Sequence, residues 1–278
     1  MNRRLLFIQQ RWFQVLTAGI LLFIGAEQAL KITGNPNFLP TVLLVCAFTV
    51  PMALVTYFYG RERSLDRELH GETPLAAGAT CFLVGGALGV IIAGLIEYGT
   101  LRNLGILALL GVAVIEEGSK LVFPVAMYLR GQYRTESDGL LFGVATGMGF
   151  AALETMGYGL VALIQSSGDI GTLEEVLLIR GLLSPAGHAA WTGLVCAVLW
   201  RERERKEHKV LNIAVAMAFL VAVLLHALWD TINSLDGPTT IQVLAVIIGN
   251  VTVAGISLTL LIRRVRESKR YLTGPDSQ

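Results

Sequence analysis

Apolar residues run along this chain in long blocks, not in the short alternations of a soluble helix or strand. Eight blocks reach about 20 residues or more, the length a helix needs to cross a bilayer. They lie at 12–30, 38–58, 75–97, 103–129, 139–165, 175–200, 210–232 and 239–262. Polar or turn-forming residues separate them: Asn35-Pro36, Arg61 to Glu72, Gly131 to Asp138, Ser166 to Asp169, and Asp236-Gly237-Pro238. The pattern predicts an all-α fold, a polytopic transmembrane helical bundle of about eight spans. Arg3, Arg4 and Arg11 precede the first block, as they would a signal peptide. Its apolar run is long and no small-residue cleavage site follows, so it reads as a retained helix. Residues 1–270 read as one membrane-embedded domain with a motif-bearing core at 103–232, and residues 271–278 as a disordered polar tail.

Composition agrees with the pattern. The 278 residues are 54% hydrophobic and only 15% charged, against about 25% charged in a soluble domain. A net charge of +1 argues against a nucleic-acid partner, and the apolar content excludes disorder. Cys46, Cys81 and Cys196 sit inside apolar blocks without metal-type spacing, as small buried hydrophobes do. Lysine and arginine are distributed unevenly. Eighteen of the 22 fall at the N-terminus, in alternate connections or in the tail, whereas Lys31 and Arg102 alone fall on the opposite side. By the positive-inside rule both termini are expected to be cytoplasmic.

Ionisable residues inside spans are costly, at about 2.5–3.5 kcal/mol each on insertion scales, and residues that carry this cost usually have a function. The fourth block holds Glu116, Glu117 and Lys120 near its middle. Lys120 is i+4 from Glu116 and i+3 from Glu117, so it is expected to neutralise one carboxylate while the other, about 100° around the helix, points elsewhere. A structural ion pair would explain one glutamate and leave the second unexplained. The fifth block carries Gly139, Gly143, Gly147, Ala151, Thr155 and Gly159 in an unbroken i+4 row, a surface for close helix approach. Glu154 emerges on that face, with Phe150 one turn before it. In the sixth block Pro185 and Gly187 are expected to kink the helix beside His188, with Thr192 one turn later. In the seventh, His226, Asp230 and Asn233 share a face, and a carboxylate beside a histidine fixes its tautomer. Glu174, Glu175 and Arg180 are read as anchors at the outer interface, and His70 and His208 as ordinary loop residues.

Three carboxylates and two histidines in four consecutive helices suit general-base hydrolysis or a metal-bound water. Buried acids and histidines also build proton relays, which leaves a proton-coupled transporter or channel as an alternative; a non-catalytic membrane scaffold is another. Paired halves with interrupted helices, the mark of a transporter, are absent from the sequence.

In order and helix placement, Glu116-Glu117-x-x-Lys120, Phe150-x-x-x-Glu154, His188-x-x-x-Thr192 and His226-x-x-x-Asp230 resemble the PrsW family of intramembrane proteases, relatives of the type II CAAX prenyl endopeptidases. The latter have arginine where Lys120 stands and histidine where Glu154 stands, so the sequence resembles the PrsW branch. The resemblance implies an intramembrane endopeptidase in a bacterial or archaeal cell membrane, cutting a membrane-anchored protein such as an anti-sigma factor. It implies Glu116 and Glu117 as the catalytic pair, with Glu154, His188 and His226 lining the site and Lys120, Phe150, Thr192 and Asp230 supporting it. A metal, zinc, is compatible with this set, since Glu154, His188 and His226 would form the two-histidine, one-glutamate donors typical of catalytic zinc. The prenyl-endopeptidase relatives are also described with a glutamate-activated water and no essential metal.

Overall fold

The computed structural model describes residues 8–66, 75–100, 107–204, 210, 212–235, 237 and 239–273. Of the features read above, Arg3, Arg4, Arg67, His70, Glu72, Arg102, Arg205, Lys206, His208, Lys209, Asp236, Pro238 and residues 274–278 lie outside them. The described chain is helical: α1 (Arg11–Thr33), α2 (Leu39–Asp66), α3 (Leu75–Thr100), α4 (Leu107–Arg130), α5 (Glu136–Gln165), α6 (Ile170–Leu183), α7 (His188–Glu204), α8 (Ile213–Asn233) and α9 (Thr240–Thr273). Tyr271, Leu272 and Thr273, expected in the tail, are the last residues of α9.

Among the described residues, seven segments are long and apolar enough to cross a membrane, α6 and α7 counting as one. The eighth expected span, α4, has 24 residues, enough for about 36 Å of helix. It falls outside the purely apolar set because it carries Glu116, Glu117 and Lys120, all three buried within the bundle.

The middle of the molecule is α5, buried without interruption from Glu136 to Ala152. Its row of small residues packs on α7. A Cβ at Gly139 would stand 2.6 Å from the Cys196 carbonyl oxygen and one at Gly143 2.6 Å from that of Thr192, and at Gly147 it would collide with the carbonyl of His188. The expected close approach is therefore to α7 along three successive turns, while at Gly159, the last of the row, a Cβ would stand 2.7 Å from Leu177 of α6 and 3.1 Å from Leu43 of α2. The other side of α5 meets α3. There Cys81–Gly85 form a π-turn, and Thr146 Oγ1 donates to the Cys81 carbonyl at 3.2 Å, satisfying a backbone group inside the bundle. Cys46, Cys81 and Cys196 are free and buried, as expected.

Thr135 starts α5 with a capping box closed by Asp138. After α5 the chain turns within Ser166–Gly168, with Ser167 (φ 57°) and Gly168 (φ 92°) in the left-handed region. Asp169 then opens α6. The hydroxyl and amide of Thr172 bond its carboxylate, at 2.6 and 3.0 Å, and hold it below the usual carboxylate range. The expected kink at Pro185 is a full break: α6 ends at Leu183, Ser184–Ala186 form a 3₁₀ turn, and α7 begins at His188. At the other end of α6, Glu174 meets Lys31 of α1 at 3.0 Å, the anchoring role expected of it.

Candidate active site

The helices so placed bring one group of polar side chains together. A cleft of about 460 Å³ lies between α4, α5, α6, α7 and α8, and Asn250 of α9 reaches its rim. Glu116, Glu154, His188, His226 and Asp230 all line it.

Glu116 and Glu117 divide the work of α4. Lys120, fully buried, does not choose between them: its Nζ lies 3.2 Å from Glu116 Oε2 and 2.7 Å from Glu117 Oε1. The expectation that one carboxylate would escape the lysine is corrected, because at i+3 and i+4 its flexible chain reaches both. What separates the glutamates is access to the cleft. Glu117 is 1% exposed and accepts a hydrogen bond from His226 Nδ1 at 2.9 Å, whereas Glu116 faces the open space. Lys120 Nζ also stands 4.2 Å from the centre of the Phe150 ring, a cation–π contact that ties α4 to α5.

His226 has carboxylates on both sides. With Nδ1 donating to Glu117, its Nε2 is directed at Asp230 Oδ2 (3.4 Å) and Glu116 Oε2 (3.7 Å). The tautomer is thus set chiefly by Glu117, across the bundle, and less by its own i+4 partner Asp230. Trp191 stacks on the His226 ring with centroids 4.8 Å apart and planes at 21°, and is itself fixed by donating to Ser257 Oγ of α9 at 2.9 Å. The His188 ring stacks on Phe150 at 5.7 Å, and its Nε2 lies 3.2 Å from Glu154 Oε2. Thr192 is fully buried in the seam with Gly147 and does not line the cleft.

Arg180 departs from its expected place. Read as an interfacial anchor, it instead pairs with Glu154, Nη2 to Oε2 at 3.0 Å, and its guanidinium lies 3.8 Å from the centre of the Tyr158 ring. The reason is where the helix begins. The apolar block starts at residue 175, but Asp169 caps α6 so that it begins at Ile170, and Arg180 is carried about 15 Å along the axis into the span. The Asp169-x-x-Thr172 capping pattern is the signal that locates this start in the sequence. Trp191 and Tyr158, which also line the cleft, were not singled out in the sequence; each lies within one turn of a candidate residue, His188 and Glu154, and that spacing is the signal that could have found them. Glu97 of α3 is a further carboxylate in electrostatic reach of Glu116 and Glu154.

Among the described residues, Glu116, Glu154 and His188 bring one ligand atom each within 4.8 Å of one another. This set shares Glu154 and His188 with the expected zinc donors and has Glu116 in place of His226. Charge supports the fit to a divalent ion. Four carboxylates, Glu116, Glu117, Glu154 and Asp230, stand around two permanent cations, Lys120 and Arg180, so the cluster holds more carboxylates than cations to pair them. Carboxylate and imidazole are the donors zinc accepts.

Carboxylates and imidazoles gathered around a cleft among membrane-spanning helices supply the groups that an intramembrane hydrolase needs. Comparison with known proteins identifies the kind. Residues 73–256 match the model of the PrsW family intramembrane metalloprotease, and the chain belongs to that family. A Protease PrsW from Shouchella clausii is 26% identical over 204 residues, covering 70% of this chain and 85% of its own. A Protease PrsW from Halalkalibacterium halodurans is 26% identical over 195 residues, covering 68% and 82%. No solved structure matches the chain. The protein is therefore a multi-pass bacterial membrane protein and an intramembrane protease, and the matched region contains every element of the cleft.

Proposed function

We propose that the protein hydrolyses a peptide bond in a membrane-anchored protein, of which an anti-sigma factor is an example, with Glu116 as the general base. One observation carries this reading: of the two adjacent glutamates only Glu116 lines the cleft. Both its partners, Lys120 and His226, approach Oε2, so Oε1 is left to take a proton from a water in the cleft. Hydroxide formed there attacks the scissile carbonyl. Glu117 has a positioning role, holding Lys120 and the His226 ring. His226 presents Nε2 to the cleft between Glu116 and Asp230, placed to receive the proton that Glu116 takes from the water and pass it to the departing amine. Glu154 and His188 would hold a divalent metal such as zinc, which supplies electrophilic polarisation of the carbonyl and acidifies bound water. Lys120 keeps the Glu116 carboxylate turned toward that pair.

The test is cleavage of a membrane-tethered reporter in proteoliposomes, with zinc content measured on the same samples. Glu116→Gln is expected to lower turnover by about 100-fold or more while the bound zinc stays at the wild-type level. Cleavage that survives the substitution overturns the assignment of the base. Loss of zinc together with cleavage makes Glu116 a ligand and overturns the division of labour between Glu116 and the Glu154–His188 pair.

A further inference from the structure

Apart from Arg180, the face of α6 around its middle is apolar and outward: Leu178, Ile179 and Leu182 are 46%, 51% and 69% exposed. Arginine at that position is costly in a membrane unless it is paired, and here it is paired at two points of α5. Nη2 lies 3.0 Å from Glu154 Oε2, and the guanidinium covers the ring of Tyr158, the residue one turn beyond Glu154. The oxygen involved matters. His188 Nε2 approaches the same Oε2, at 3.2 Å, so the atom that faces the histidine donor already carries a cation. A guanidinium does not deprotonate in proteins, and it repels a divalent ion brought within a few ångströms.

We propose that Arg180 is the resident counter-ion of Glu154, competing with a divalent metal for Oε2 and thereby setting the affinity of the site for that metal. It is a positioning residue, acting through Glu154. The inference rests on the reading that Glu154 and His188 hold the metal, and it adds that the site is built to bind zinc less tightly than its donors allow. Tyr158 keeps the guanidinium from swinging into lipid, so the competition is permanent.

Zinc titrated into the purified, metal-free full-length protein, and read by displacement from a chromophoric chelator, tests this without any cleavage assay. Arg180→Gln, which removes a positive charge within a few ångströms of the ion, is expected to bind zinc about tenfold tighter than wild type, and Arg180→Lys, which keeps the charge but loses the stacked guanidinium plane, to fall between the two. Glu154→Gln with Arg180→Gln is expected to bind no more tightly than Glu154→Gln alone, because the competition acts through that carboxylate. Tyr158→Leu, which frees the guanidinium without removing it, is expected to shift affinity in the same direction by less, and answers the question if Arg180→Gln does not fold. Zinc that is lost in Glu154→Gln but unchanged or weaker in Arg180→Gln overturns the competition and leaves the metal site standing. A gain that persists without Glu154 also overturns it. Absence of zinc binding in wild type and every variant overturns the metal reading itself, and the competition with it.

Discussion

At the scale of single residues, adjacency in sequence hides a difference in role. Glu116 and Glu117 are neighbours in one helix and share Lys120, yet one borders open space and the other is enclosed with two nitrogen partners. Their stabilities upon substitution should therefore diverge. Glu117→Ala leaves Lys120 and His226 buried with a partner removed, and is expected to cost about 3 kcal/mol or more, seen as a lowered unfolding midpoint in detergent. Glu116→Ala, whose carboxylate borders the cleft, is expected to cost clearly less in the same measurement. Equal losses would refute the division. The sequence marked both glutamates, the lysine and both histidines as a group, since ionisable residues stand out against 54% hydrophobic composition. It could not assign their pairings. Those depend on which rotamer a four-carbon lysine adopts and on which neighbour faces His226 from another helix, neither of which leaves a trace in spacing.

Among the elements, the seam between α5 and α7 carries the most direct consequence. Gly143 sits where an added methyl would approach the Thr192 carbonyl to 2.6 Å, whereas nothing lies within 4 Å of the same position at Gly157. Gly143→Ala is expected to lower stability by about 1–3 kcal/mol and to reduce cleavage, because it pushes His188 away from Glu154. Gly157→Ala is expected to be neutral. Thermal unfolding of the two variants side by side provides the comparison. The helix positions were legible because long apolar blocks have few alternatives in a chain with so little charge, and the i+4 row of small residues announced the seam. The start of α6 was misplaced by five residues, since hydropathy begins later than the cap, and that shift alone moved Arg180 from the interface into the cleft wall.

For the whole molecule, we propose that α4 crosses the membrane along with the seven apolar segments found among the described residues, eight crossings that would return both ends to one side. With the lysine and arginine excess at those ends, the expected side is the cytoplasm. A fluorescent protein fused to the C-terminus should fold and fluoresce, and a periplasm-dependent phosphatase fused at the same place should stay inactive. The reverse result would mean either an odd number of crossings or an inverted orientation of all eight. The break in the sixth segment does not change that count, because Ile170–Arg203 is taken as one apolar segment. That interruption has a further effect. It exposes the amino end of α7, where the first amide groups have no partner within the helix and the aligned peptide dipoles leave a partial positive charge. Gly187 and His188, at this end, lie in the wall of the same cleft that collects Glu116, Glu154 and Asp230. An unbroken helix would have left only the amino end at Ile170, outside the cleft. Cut where it is, the helix brings the first amides of α7 to the wall of an acidic chamber as hydrogen-bond donors, while the carboxyl end of α6 at Leu183 borders the same cleft and its dipole end of opposite sign offsets the electrostatic gain.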